Sequence, residues 1–230
     1  MTDGPSRLDQ DIWVLEKDVR FAGIPLPHTM TIIRLPTNGL FVHSPTILDS
    51  ATAEALASLG AVDSIVWPSW WHDLYLRDYA AAYPRARLFG APVLVEWNRS
   101  LSSLRALDAR VPLWAPCLDQ LYVDRMRLFL DEFVFFHRPS RSLIVADLAF
   151  NLDESRGWFT KWSFGAIGAY PGCNIPWFYR LAPADRTYLR DKIERILDWD
   201  FDRLVVGHGS VVPTRGKDAL RNAYRWLLRP

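Results

Sequence analysis

Cysteine is nearly absent. Cys117 and Cys173 are the only two in 230 residues, with no Cys-x-x-Cys and no Cys/His finger spacing. That excludes a disulfide framework and a structural zinc finger, and it fits a reducing compartment. A charge excess of one sign is lacking too: the formal net charge is +1, so the basic surplus of a non-specific nucleic-acid binder is missing. Apolar runs are short and interrupted, which leaves no transmembrane span. The first residues, MTDGPSRLDQD, lack the apolar core of a signal peptide. The expectation is a soluble cytoplasmic protein with neither nucleic-acid nor membrane partners.

Several catalytic signatures are also missing. There is no Gly-x-Ser-x-Gly elbow, and Ser210 follows a histidine instead of standing on a nucleophile turn, which argues against a serine hydrolase. No glycine-rich phosphate loop follows a strand, so no nucleotide or other organic cofactor is implied. Neither cysteine has a histidine near it in sequence, so a thiol enzyme would have to bring one to it through the fold.

What is present is a half-hydrophobic chain with 11 tryptophans. Several fall in "RGWFTKWSFGAIGAYPGCNIPWFYRL", residues 156–181. Aromatics mixed with Gly and Pro keep neither a period of 2 nor of 3.6, so the segment reads as loop with a short helix. It is either a second hydrophobic cluster over the core or the lid or wall of an apolar pocket.

The element order is legible elsewhere. "DIWVLEKDVRF" alternates like a strand, and "HTMTIIRLPTNGLFVHSP" reads as two strands around the Pro36–Gly39 turn. A helix through "ATAEALASLG" is capped by Asp49 or Ser50 and closed by Gly60. "SIVWP" is a short buried strand, "LYLRDYAAAYP" a helix, and "ARLFGAP" another strand. Three strands follow, in "QLYVDRMRL", "EFVFFHR" and "SLIVADL". The chain ends with the helix "PADRTYLRDKIERILDW", the strand "DRLVVGHG" and the helix "GKDALRNAYRWLLR". Two sheets packed together with helices outside make a four-layer α/β sandwich, one domain over residues 1–230.

The histidines and carboxylates at strand ends carry the chemistry. His72 and Asp73 follow "SIVWP", His137 ends "EFVFFH", Asp147 ends "SLIVAD", and His208 ends "DRLVVGH". Strand ends are where a sheet's loops gather into a site, and imidazole with carboxylate is a ligand set for Zn, Fe or Mn. Each residue alone reads as an ordinary edge or cap residue; together they predict a metal site on one edge.

At these segments the chain resembles the metallo-β-lactamase superfamily of αββα metal-dependent hydrolases, and more narrowly its DUF4336 group. The matching stretches are "GLFVHSPTIL", "AVDSIVWPSWWHDLYL" with "AAYPRARLFGAP", "FVFFHRPSRSLIVADLAFNL" and "DWDFDRLVVGHGSVV", within residues 11–228. The superfamily's His-x-His-x-Asp-His motif is degenerate here. Aligning its aspartate with Asp73 puts Ser69, Trp71 and Leu74 where histidines belong, and His72 at a spacer. His137, Asp147 and His208 match the later ligands. The resemblance implies one divalent metal (Zn, Fe or Mn) on Asp73, Asp147 and His208, completed by His137 or His72. It makes Asp73 and His137 the catalytic pair, puts Trp71 or water in the first metal position, and gives His43 a peripheral place. Trp71, Trp158, Trp162 and His43 are the expected substrate-binding residues.

Two functions follow from these readings. One is a hydrolase acting on an ester, lactone, thioester or amide of a small molecule through a metal-activated water. The other is a metal-poor protein of the same fold that binds a small apolar ligand. Lys217, Arg221, Arg225 and Arg229 recur every four residues; the row reads as a solvated helix face or as a contact for an anionic partner or homodimer.

Overall fold

The computed structural model describes residues 4–21, 23–108 and 113–228. The first half builds a seven-stranded sheet whose strand order is the chain order. Its strands are β1 (Ser6–Asp9), β2 (Ile12–Phe21), β3 (Ile24–Arg34), β4 (Leu40–His43), β5 (Val62–Trp67), β6 (Arg87–Gly90) and β7 (Leu104–Ala106). β2 and β3 form a long antiparallel hairpin, and β3 pairs antiparallel with β4 across the expected Pro36–Gly39 turn. From β4 onward the strands are parallel, with α1 (Ser50–Leu59), α2 (Leu76–Ala82) and α3 (Pro92–Trp97) in the connections. Asp49 caps α1 by accepting the Thr52 N–H, as the sequence indicates.

The second half holds β8 (Leu118–Val123), β9 (Glu132–His137), β10 (Ser142–Ile144), β11 (Phe150–Leu152), β12 (Gly172–Asn174), β13 (Arg203–Val205) and β14 (His208–Gly209). They form a four-stranded sheet, β13-β10-β9-β8, and a three-stranded one, β12-β11-β14. The helices are α4 (Trp158–Ala166), α5 (Arg186–Asp198), α6 (Gly216–Ala223) and α7 (Arg225–Leu228).

The period-2 alternation of the strands sorts the core into three sets. Phe41, Val66, Phe133, Phe135, Ile144 and Val205 meet between the sheets. Their strand neighbours Leu40, Val42, Ile65 and Trp67 face α1–α3 instead. Val134, Phe136, Leu143 and Leu204 pack with Leu189, Ile193, Leu220 and Tyr224 of the later helices. The central strands β4, β5, β9 and β10 thus bury both faces, giving the four layers of an αββα sandwich. No helix among the described residues is long and apolar enough to cross a membrane.

Two readings need correction. "DRLVVGHG" is not one strand: the chain leaves the four-stranded sheet after Val205, and His208 pairs with Phe150 in the three-stranded one. The final helix divides at Tyr224 into α6 and α7, so the basic row does not lie along one continuous helix. Arg221 in that row pairs with Asp218, and Arg229 lies outside the described residues.

Candidate metal centre

The site follows from strand sense. One edge of the sandwich collects the C-terminal ends of the parallel pairs β4–β5 and β10–β13. The same edge receives the N-terminal ends of their antiparallel neighbours, β3 and β9. The 3-10 turn Trp70–His72 after β5 buries His72 completely. Asp147 follows β10, His208 follows β13, and all three are buried.

His72 Nε2 lies 3.2 Å from His208 Nε2 and 3.4 Å from Asp147 Oδ1, and His208 Nε2 lies 3.3 Å from the same oxygen. Three donor atoms therefore form a nearly equilateral triangle. A four-coordinate ion with ligands at about 2.0–2.2 Å spaces neighbouring ligand atoms by about 3.3–3.6 Å. The triangle has the dimensions of one face of such a site. His28, which sequence reading did not single out, supplies a third imidazole: a nitrogen from each of His28, His72 and His208 lies within 4.8 Å of the others.

Partners behind each ligand fix its orientation. His208 Nδ1 is 2.8 Å from the Pro27 carbonyl oxygen, which can only accept, so the proton sits on Nδ1 and Nε2 carries the lone pair. His28 Nε2 faces the Ser44 and Pro45 carbonyl oxygens at 3.2 Å, which leaves its Nδ1 basic. His72 Nδ1 meets the Ser44 hydroxyl, which accepts or donates, so His72 can release its Nε2 proton. Ser69 Oγ donates to Asp147 Oδ2 at 3.0 Å. Burial, reinforced by His72 and His208, holds the His28 pKa well below the ordinary histidine value. It stays neutral, as a ligand must.

Glu132, at the start of β9, was also missed. Its Oε1 and Oε2 accept the backbone N–H groups of Ala146 and Asp147 at 3.1 and 2.7 Å. Burial and the adjacent Asp147 carboxylate push Glu132 up to about 8. For Asp147, burial acts upward, but His72 and His208 outweigh it and hold the carboxyl far below the usual range. The pair divides its labour: Asp147 carries the negative charge and Glu132 a proton.

The glycines around His208 explain its setting. A Cβ on Gly207 would sit 2.6 Å from the Ala146 carbonyl oxygen and 2.8 Å from His72 Cε1. Gly209, at φ +106°, would place one 2.1 Å from the Asn151 oxygen.

Other expected site residues are placed differently. His137 does not reach this edge. β9 runs antiparallel to β10, so its last residue pairs with Ser142 at the start of β10, at the opposite end from Asp147. There its Nδ1 meets Ser140 Oγ at 2.7 Å. Trp71 stays out of the metal position, its indole N–H donating to the Leu128 carbonyl with the side chain 44% exposed, but it does line the adjoining cavity, where a substrate-binding residue is expected. His72, aligned to a spacer, is instead central, and Asp73 lines the mouth of the adjoining cavity, where desolvation raises its pKa. His43 is buried against Phe135 rather than facing the cavity.

That cavity has a volume of about 640 Å³ and includes His28, Asp147 and His208 in its wall. The aromatic segment does form part of it, through Phe164, Ile167, Phe178 and Tyr179. Trp158 and Trp162 do not: they are 77% and 66% exposed on the outer side of α4. Helix geometry decides this, because Phe164 lies two positions from Trp162 and so turns the opposite way.

Residues 9–161 match the family model described as Domain of unknown function (DUF4336). The chain belongs to the DUF4336 family. The matched stretch holds His28, His72 and Asp147 and stops before His208. No curated protein matches the DUF4336 chain in sequence. Solved structures that resemble it include a metallo-beta-lactamase from Pontibacter korlensis, at 13% identity and TM-score 0.63 over 96% of this chain and 98% of that one. The metallo-beta-lactamase FIM-1 from Pseudomonas aeruginosa, solved in its mono-zinc form, is 10% identical with TM-score 0.65 over 98% and 96%. The metal-soaked Flv1 flavodiiron core from Synechocystis sp. PCC6803 is 11% identical with TM-score 0.67 over 97% and 60%. At these identities the likeness establishes that the DUF4336 chain has the metallo-β-lactamase fold.

Proposed function

We propose that the protein is a metal-dependent hydrolase with a mononuclear centre, acting on an ester, lactone, thioester or amide. The carrying observation is the triangle of His72 Nε2, His208 Nε2 and Asp147 Oδ1. These three residues would hold one divalent ion, with His28 beside them. When bound, such an ion polarises a carbonyl and lowers the pKa of water.

The chain's own residues do the rest. Glu132 and Ser69 aim the Asp147 carboxylate, and Pro27 keeps His208 in the tautomer whose Nε2 faces inward. Asp73 lies on the cavity wall shared with Asp147 and His208. Its raised pKa suits it to take a proton from the attacking water and pass it to the leaving group. The apolar cavity wall excludes bulk water from the reacting carbonyl.

The test is metal analysis of protein supplied with Zn, Fe and Mn and purified without chelator, alongside hydrolysis of p-nitrophenyl esters. One ion per chain is expected, and His208→Ala should lose both ion and activity. Two ions per chain, or none, would overturn the mononuclear reading.

A further inference from the structure

The cavity has a direction. Ile24, Leu26 and His28 alternate along β3 and all line it. Four residues of strand at about 3.3 Å each separate Ile24 from His28 by about 13 Å. His28 stands at the metal-centre end. At the other end, Arg20 of β2 pairs with Pro25 across the hairpin and also lines the cavity. The Arg20 side chain is exposed, and no carboxylate among the described residues forms an ion pair with it.

Between these ends the wall is mostly apolar, broken by Ser163, whose buried hydroxyl has no partner among the described residues. Val19 and Leu26 come from the hairpin, Leu130 from the loop before β9, and Phe164, Ile167 and Phe178 from the aromatic segment. A polar ligand body would lose its hydration here and recover little beyond one bond to the Ser163 hydroxyl, whereas an alkyl chain gains by burial. The order along the cavity is hydrolytic centre, apolar channel, lone guanidinium.

From this order we infer that the substrate is an anionic amphiphile: an ester whose acyl chain of about ten carbons ends in a carboxylate that pairs with Arg20. Carbon–carbon bonds of about 1.5 Å advance roughly 1.3 Å each along an extended chain, so the nine bonds of a ten-carbon chain span about 12 Å, and its terminal carboxylate oxygens reach the rest of the way. Hydrolysis adds one water across the acyl C–O bond. The hydroxyl goes to the carbonyl carbon, the departing alkoxide takes a proton, and the products are an alcohol and a dicarboxylic acid. The inference rests on the hydrolase reading for the reacting end, but the binding geometry stands apart from it.

The test uses calorimetry with the monomethyl ester of decanedioic acid and with uncharged methyl decanoate. Both should bind the wild-type protein and the His208→Ala variant. The charged ligand should bind more tightly, and Arg20→Gln should erase about a three- to fivefold preference, the size of one exposed ion pair. The preference should also shrink at high salt. Ile24→Trp, which narrows the outer channel, should weaken both ten-carbon ligands and spare methyl butanoate. Equal binding of the two ten-carbon ligands, or binding of neither by folded protein, overturns the inference even if short esters are hydrolysed. Arg20-dependent binding without hydrolysis by metal-loaded protein supports it and sinks the hydrolase reading alone.

Discussion

The Nε2 atoms of His72 and His208 face each other at 3.2 Å. Because the Nδ1–H of His208 donates to the Pro27 carbonyl oxygen, its Nε2 always presents a lone pair when neutral. Two such lone pairs repel unless a proton or a cation lies between them. Substituting either histidine should therefore abolish metal retention, whereas His137→Ala, on the opposite edge, should leave it unchanged. Metal content per chain checks both outcomes.

Gly207→Ala tests how tightly His72 is seated. The new methyl would meet the Ala146 carbonyl oxygen and His72 Cε1 well inside contact distance. Metal affinity should fall about tenfold or more, and the protein should lose about 1–3 kcal/mol of stability from overpacking. Competition with a chromophoric chelator and a thermal melt measure the two effects.

Glu132→Gln keeps the shape but replaces one acceptor with a donor opposite a backbone N–H. We expect a loss of about 1–3 kcal/mol, the cost of a buried group left unpaired. The pH dependence carries the clearer sign. With a folded pKa of about 8 above the unfolded 4.5, the folded state binds more protons between those values. Glu132 therefore contributes stability that declines as pH rises from 4.5 through 8. The variant should lack that decline in denaturant titrations across the window.

His43 has the opposite sign. Both ring nitrogens are buried without a hydrogen-bond partner among the described residues, and burial, with His72 adding to it, lowers the pKa to about 3. The unfolded chain takes up a proton near 6.5 that the folded protein refuses. Stability is lost as pH falls from 6.5 towards 3, at up to about 1.4 kcal/mol per pH unit. His43→Phe should flatten that slope by one proton and leave stability at pH 8 the same or higher, since an apolar ring replaces unpaired polar atoms.

Trp158→Ala and Trp162→Ala should change stability by less than about 0.5 kcal/mol, as exposed positions do. Phe164→Ala, two positions from Trp162 on the opposite face and buried in the cavity wall, should cost about 3–5 kcal/mol. The contrast in thermal melts separates the outer face of α4 from its inner one.

The layers were legible because the central strands are short apolar runs, the pattern of strands covered on both sides. "GLFVH", "SIVW", "EFVFF" and "DRLVV" each bury two faces, and helical periods stand between them. The site was legible where a histidine or aspartate ends a parallel strand: His72, Asp147 and His208. It failed at His137 because a hairpin reverses direction. The last residue of β9 shares an edge with the start of β10, and the first residue, Glu132, is the one beside Asp147. His28 was hidden because it is the fifth of eleven residues of the antiparallel strand β3, inside the strand and not at its end. A rule that collects the ends of forward strands and the beginnings of reversed ones would have found Glu132 and rejected His137. His72 needed more than spacing, because a single 3-10 turn decides whether Trp71 or His72 points inward.

The hydrogen bond from His208 to Pro27 closes a loop of 181 positions. A ribosome releases His28, His72 and Asp147 long before the residue that completes the set, so no growing chain holds a finished centre until His208 has emerged. A cation that binds only the complete set ties the opening hairpin to the closing strand, much as a cross-link would. It stabilises the folded state in proportion to the logarithm of its concentration. Stripping it should lower the melting temperature of both sheets together, because the ligands come from each.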